Sequence, residues 1–393
     1  MTDRQRILAA IRGEAVDRIP WAPRLEFWHR ARKRYGTLPT EFRDLPLGEI
    51  VRRMGVAQYG VIPDYTDIRD ETHMIDRALG VFQLPTLTYR YEFEGTERRV
   101  CRRGRETVVE YHTPAGSIRT AYLFTDEMLD AGASMPWITE HAIREPKDFD
   151  VVAWIFSHAA VEPQREGYAA LRDEAGERGI VIGYTLGTAS PVQHIMKEFM
   201  TLEQFFYACA DYPEKVAALA DAMTPFYESM KRVVADSPAE VVLLGANYDD
   251  SITYPAFFRK HILPALRDYA EALHRRGKFL ATHTDGENRR LIPLYLEAGF
   301  DVADSVCPAP MTSMSLEDYL DAFRGRVAIW GGIPSVLLCA GSATFEDLRR
   351  FVDELVERHG RSTRFILGVS DMVTADAEYD RLCYITDRVA ALG

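Results

Sequence analysis

Short runs of β-branched and other apolar residues recur along this chain, and each is followed by a longer stretch with helical spacing. That alternation constrains the fold more than any other feature. A strand running parallel to its predecessor needs a long crossover, usually a helix, so repeated strand–helix units specify a parallel sheet. The strand candidates are residues 19–26, 57–63, 180–185, 241–246, 278–283, 301–306, 327–330 and 365–369. Eight such units close as a (β/α)8 TIM barrel. An open doubly wound sheet would want a glycine-rich phosphate turn after the first strand, and none stands there. Helices are expected over 3–13, 256–274, 288–297, 316–323, 345–358 and 375–391, the first with Ile7, Leu8 and Ile11 on one face and Gly13 as a stop.

Between the second and third strands the period changes. Residues 84–124 alternate polar and apolar, as in Tyr89-Arg90-Tyr91-Glu92-Phe93 and Val108-Val109-Glu110-Tyr111-His112, with turn signals at Gly95, Gly104 and Gly116. This is the signature of half-solvated antiparallel hairpins, inserted into one barrel domain spanning 1–393. With 393 residues, 47% apolar and 27% charged, the chain has ordinary globular composition. A net charge of −12 with scattered Lys and Arg argues against a nucleic-acid or anionic-membrane partner. No apolar run approaches the ~20 residues of a membrane span. The five cysteines are widely spaced and form no CxxC pair, which suits a reducing cytoplasm. Cys101, Cys209 and Cys383 fall inside expected strands or helices and read as small buried hydrophobes.

In a barrel, the residues just past the C-terminal strand ends meet at one mouth and carry the chemistry. Polar residues gather at these ends: Arg24 and Glu26, then Asp64 and Asp67, then Tyr184, Thr188 and Ser190. Asn247, Asp249 and Asp250 follow the fourth strand, and His283-Thr284-Asp285-Gly286 ends the fifth. Cys307, Ser335 and Ser370-Asp371 complete the ring. Charges facing a cavity are costly unless paired, so such a ring marks a site. His283 and Asp285, two apart at a strand end, can face the same side. They make a harder site than thiolates would and suit zinc or another divalent ion, with Cys307 as a third ligand from the next strand, or else they bond each other and shape the pocket. Arg24 is either a carboxylate or phosphate clamp or the partner of Glu26 or a nearby Asp. Substrate contact is expected from Arg24, Glu26, Asp67 and Asn247. Asp249 and Asp371 are candidates for proton handling, although Asp249 or Asp250 could equally cap the helix near Pro255. Tyr184 is a pocket wall with a hydrogen-bonding tip, or a proton donor.

Arg6-Ile7-Leu8-Ala9-Ala10-Ile11-Arg12-Gly13-Glu14 followed by Asp17-Arg18-Ile19-Pro20 resembles the opening of the uroporphyrinogen decarboxylase superfamily. Trp330-Gly331-Gly332-Ile333-Pro334 and the Ile366-Leu367-Gly368 turn are similar to further markers of that superfamily, so the resemblance spans the chain. It has two branches, haem-pathway decarboxylases and corrinoid-linked methyltransferases. The decarboxylase pattern has an Arg-Gln-Ala-Gly-Arg strand and a histidine in a closing Leu-Gly-His-Gly turn. Here Arg24 remains, Trp28 stands where the second arginine would fall, and Ser370 stands in the turn. The methyltransferase pattern has His-x-Cys after the fifth strand and a distant Cys. Here the first reads His283-Thr284-Asp285 and the second Ser370-Asp371.

The resemblance thus implies a methyltransferase moving a methyl group between a small O-, N- or S-methyl compound and a corrinoid. That cofactor would be supplied by a partner corrinoid protein or free in solution. A divalent ion on His283, Asp285 and Cys307, or a proton donor, would polarise the heteroatom. A homodimer is compatible with the superfamily. The alternatives are decarboxylation of a pyrrole or aromatic acid, with Asp67 and Arg24 stabilising the intermediate, and a barrel that binds a ligand without turning it over.

Overall fold

The computed structural model describes residues 1–61, 71–130, 133, 135–245 and 247–392. Asp64 and Asp67 lie outside the described residues, so the role expected of Asp67 has no structural counterpart here.

Among the described residues thirteen strands run in chain order: β1 Gln58–Val61, β2 Tyr89–Phe93, β3 Glu97–Arg103, β4 Glu106–Thr113, β5 Gly116–Leu123, β6 Trp137–Glu140 and β7 Ala159–Pro163, then β8 Gly179–Tyr184, β9 Val241–Leu243, β10 Phe279–His283, β11 Val302–Val306, β12 Ala328–Ile333 and β13 Phe365–Val369. Seven of them form one parallel sheet in the order β1-β8-β9-β10-β11-β12-β13. The eighth stave is the segment around Trp21. Trp21 bridges Leu367 of β13 in parallel, Ala22 N–H donates to Leu367 C=O, and Ala57 N–H, just before β1, donates to Trp21 C=O. This segment joins the two sheet edges and closes the ring. β8, β12 and β13 are buried along their length, which is why they read as unbroken apolar runs.

The first expected strand, 19–26, is shorter than its sequence suggests. Only the part around Trp21 pairs, and Glu26 opens the helix Glu26–Tyr35. A carboxylate in the first turn of a helix is stabilised by the exposed N–H groups there, and Glu26 reaches the mouth from that position. The helix also carries Trp28 inward, where its indole N–H donates to Ala377 C=O at 3.0 Å.

The opening helix Asp3–Arg12 has a capping box between Thr2 and Gln5, and it ends at Gly13 in a left-handed conformation. Its apolar face, Ile7 to Ile11, is buried. The inserted strands are antiparallel as expected, and β3 is almost wholly exposed while Val109 and Tyr111 of β4 are buried. The insertion runs further than residue 124. β6 joins β3, β4 and β5 in a four-stranded sheet, and β7 returns to pair with β2. The two late strands are short and lack strict alternation, which hid them in the sequence. Two cysteines also depart from expectation: Cys101 and Cys209 are exposed, and Cys383 is half-buried. No described helix is long and apolar enough to cross a membrane.

Candidate active site at the barrel mouth

The parallel register of β10 and β11 sets His283 directly beside Asp304. Nδ1 of His283 and Oδ2 of Asp304 are 2.7 Å apart, with His283 only 8% exposed and Asp304 2%. The other carboxylate oxygen of Asp304 accepts the Tyr59 hydroxyl at 2.5 Å, from β1 across the barrel. Tyr59 stacks on Trp330 with ring centroids 4.0 Å apart. Asp304 therefore has both oxygens engaged, as a buried charge requires.

Just after Asp304 the β11–β12 pairing slips by one residue at Ser305, whose φ is +61°. A bulge of this kind re-aims neighbouring side chains, and such bulges are common beside active sites. On the facing strand, Gly331 has φ +139°, and a Cβ there would meet Val306 C=O at 2.8 Å. The glycine pair of the 330–334 motif thus has a packing reason.

With Nδ1 bound to Asp304, Nε2 of His283 is turned toward the carboxylates that follow β10 and β13. Oδ1 of Asp371 lies 3.4 Å from it and Oδ2 of Asp285 3.7 Å. Burial alone would strip the proton from this imidazole. The carboxylates of Asp285, Asp304 and Asp371 around it overcome burial and hold its pKa well above the usual histidine value. Burial likewise works to raise the Asp371 pKa, but His283 and Arg24 outweigh it and the carboxylate is lowered. Asp371 adopts φ +58°, a turn conformation that brings it over the mouth just past β13.

Arg24 lies between two acids, with Nε 3.9 Å from Glu26 and one terminal nitrogen 3.9 Å from Asp371. Both separations exceed hydrogen-bond length, and the guanidinium donates to no side chain or carbonyl among the described residues. Its side chain is 12% exposed. Burial opposes the charge on Arg24, but Glu26, Asp371, Tyr59 and Asp304 outweigh it and raise the pKa. A buried, charged fork with unengaged donors is a ready seat for a carboxylate or phosphate.

The structure brings together His283, Asp285, Asp371, Arg24 and Glu26, and Asn247 joins them by donating to Asp285 Oδ2 at 2.7 Å. Cys307 is beside this group, but its thiol donates to Ser305 C=O at 3.3 Å and burial pushes its pKa up to about 12. To use Cys307 as a ligand, a metal would have to displace its thiol proton. Among the described residues, no group of three or more His, Cys, Asp or Glu side chains is arranged to hold an ion.

Two candidates are engaged elsewhere. Asp249 accepts from Ser251 N–H at 2.9 Å and from its hydroxyl, and from Glu287 N–H at 3.4 Å, which makes it a loop organiser. Asp250 pairs with Arg290 at 3.0 Å. Neither caps the short helix that begins at Pro255, whose N-cap is Tyr254. Tyr184 is buried in β8 as a wall residue. Ser370, in the closing turn, places its hydroxyl 3.1 Å from the Val306 carbonyl and 3.0 Å from that of Ile333, either of which can accept its one proton.

Asp304 and Lys197 were not singled out by the motifs. A lone Asp inside the otherwise apolar run Val302-Ala303-Asp304-Ser305-Val306 was itself a signal, because an acid in a buried strand needs a cationic or hydrogen-bonding partner. Lys197 lies on a helical segment and carried no such mark.

Residues 127–392 match the family model described as uroporphyrinogen decarboxylase (URO-D). Curated proteins give no match. Among solved structures, the chain is similar to a methyltransferase from Methanosarcina mazei, at 13% identity and a TM-score of 0.55, over 100% of this chain and 99% of that one. At that identity the likeness is one of fold.

Proposed function

Because the chain belongs to the uroporphyrinogen decarboxylase family, we propose that its barrel mouth is an active site for methyl transfer from a small O-, N- or S-methyl compound to a corrinoid. The observation that carries this reading is the setting of His283, anchored through Nδ1 by Asp304 with Asp371 and Asp285 beside Nε2. Three carboxylates around one imidazole favour its charged form, with a proton on Nε2. A heteroatom leaving from a methyl group needs a proton, because the electron pair of the broken bond stays with it. His283 donates that proton, and Asp371 and Asp285 keep the imidazole charged until then. Arg24 holds an anionic end of the substrate between Glu26 and Asp371 and so orients the methyl group. A corrinoid, carried by a partner protein or free, would supply the nucleophile that accepts the methyl group.

A divalent ion on His283 and Asp285 is the competing electrophile in this reading. It would replace the Nε2 proton and supply the same positive charge. Decarboxylation is the second reading, and the observation that favours it is Arg24, an anion seat beside a proton donor. Trp28 and Ser370 weigh against it, since both are buried and bound to backbone carbonyls where that branch places cationic anchors.

The test mixes purified protein with reduced cobalamin and a panel of methoxylated aromatic acids, methylamines and methyl thioethers, and follows the cobalt absorbance spectrum. Methylation by the wild type and its loss in His283→Ala support the proposal. Stoichiometric zinc, with activity lost on chelation and regained with zinc, would make the ion the electrophile. Carbon dioxide release from an aromatic or pyrrole acid with no change at cobalt would overturn methyl transfer. Binding without either reaction would leave a ligand-binding barrel.

A further inference from the structure

Lys197 sits on Ile195–Phe199, a single π turn that continues the helix Pro191–His194. Such turns insert one residue into a helix and are frequent at functional sites. The Lys197 ammonium lies 3.3 Å from Gly187 C=O and 3.5 Å from Oδ1 of Asn247. The other end of the Asn247 amide donates to Oδ2 of Asp285 at 2.7 Å, and that same oxygen stands 3.7 Å from Nε2 of His283. Residues following β8, β9 and β10 are thereby joined in one line that ends on the histidine.

A carboxamide has one accepting and one donating end, and its neighbours decide which way it turns. An ammonium only donates, so Oδ1 of Asn247 must face Lys197. A carboxylate only accepts, so Nδ2 must face Asp285. Turning the amide over would set a donor against a donor and an oxygen against an oxygen. Asn247 has φ +57°, a conformation that asparagine tolerates better than most residues and that lifts its amide out of the strand direction. Asp285, for its part, has its other oxygen, Oδ1, buried without a hydrogen-bond partner. The Asn247 bond is what holds this carboxylate in place. Released, it would close on Nε2 to the ~2.8 Å of a charge-assisted bond, and Nε2–H would be occupied.

We propose that Lys197 is a positioning residue: by fixing the Asn247 amide it holds Asp285 off His283 and keeps Nε2–H open to a bound molecule. The proposal rests on reading His283 as the acid, but its test needs no substrate. In protein labelled with 15N-histidine, the Nε2–H resonance of His283 is assigned by its loss in His283→Gln. In Lys197→Met that resonance moves downfield and its exchange with water slows, because Asp285 has closed on it. Lys197→Arg, which keeps the cationic donor, restores the wild-type signal. Asn247→Ala cuts the same line at its middle and gives the same shift, so the test survives if Lys197→Met fails to fold. A His283 resonance unchanged in Asn247→Ala, or in a folded Lys197→Met, overturns the proposal. Failure of methyl transfer would leave this result untouched, and an unchanged resonance would leave methyl transfer standing.

Discussion

Nδ1 of His283 meets Oδ2 of Asp304 at 2.7 Å because β10 and β11 pair in register at those two residues. The contact does two things at once. It chooses which imidazole nitrogen faces the mouth, and it supplies a buried negative charge that stabilises the imidazolium. Asp285 and Asp371 add to that charge from the other side.

Replacing Asp304 with Asn keeps the shape and removes the charge. The proton on His283 is then held less firmly and its orientation is no longer enforced. Turnover is expected to fall on the order of 100-fold, with little change in KM, as for loss of a well-placed general acid. Steady-state kinetics with any substrate found in the cobalt assay checks this. An unchanged kcat would remove Asp304 from the mechanism.

The pKa of His283 is raised on folding, so its contribution to stability is fully present below the unfolded value of about 6.5 and is lost as pH rises through the folded value. Unfolding free energy is therefore expected to decline on the alkaline side, and His283→Gln to flatten that decline. Asp371 has the opposite sign: its lowered pKa contributes stability above the ordinary carboxylate range that is lost as pH falls through the folded value. Urea titrations from about pH 3 to pH 10 measure both limbs. A wild-type alkaline limb identical to that of the variant would show that His283 carries no raised pKa.

Tyr59→Phe keeps the stack on Trp330 and removes one donor from a buried carboxylate. Hydrogen bonds to charged groups contribute about 1.5–3 kcal/mol, so stability should fall by that order. Chemical denaturation reads the difference directly. A change within experimental scatter would mean that water replaces the hydroxyl beside Asp304.

Arg24→Met should act on binding. If the guanidinium seats an anion, KM for anionic substrates rises about 10- to 100-fold, the equivalent of one charge-assisted bond, while neutral analogues change little. Equal losses for both classes would return Arg24 to the role of a structural partner for Glu26.

Gly331→Ala tests the bulge. With φ +139° and Val306 C=O 2.8 Å from the new Cβ, the strand must shift, at a cost of about 1–3 kcal/mol. The shift acts on the β11 segment that carries Asp304. Thermal denaturation and the His283 resonance should move together, and destabilisation with an unmoved resonance would uncouple the bulge from the site.

Much of the barrel was legible because its signals are local. β10 and β13 begin and end within a residue of expectation, and the helix Leu316–Phe323 matches fully, since each is bounded by its own apolar run and turn residues. The first strand was misjudged because a single bridge at Trp21, made to strands far away in sequence, decides where it stops. β6 and β7 were missed for a similar reason: their partners β5 and β2 define them more than their own residues do.

The chain's own residues determined that eight parallel segments would converge and that His283, Asp285, Arg24 and Asp371 would stand at their ends, because strand period and strand polarity are properties of neighbours along the chain. Which of those groups touch was decided only by the closed barrel. Asp304 reaches His283 through cross-strand register, Tyr59 reaches Asp304 across the interior, and Lys197 is linked to Asp285 through Asn247. Distances of a few ångströms between residues tens to hundreds of positions apart depend on closure, register and one bulge, and none of these is written in any single stretch of sequence.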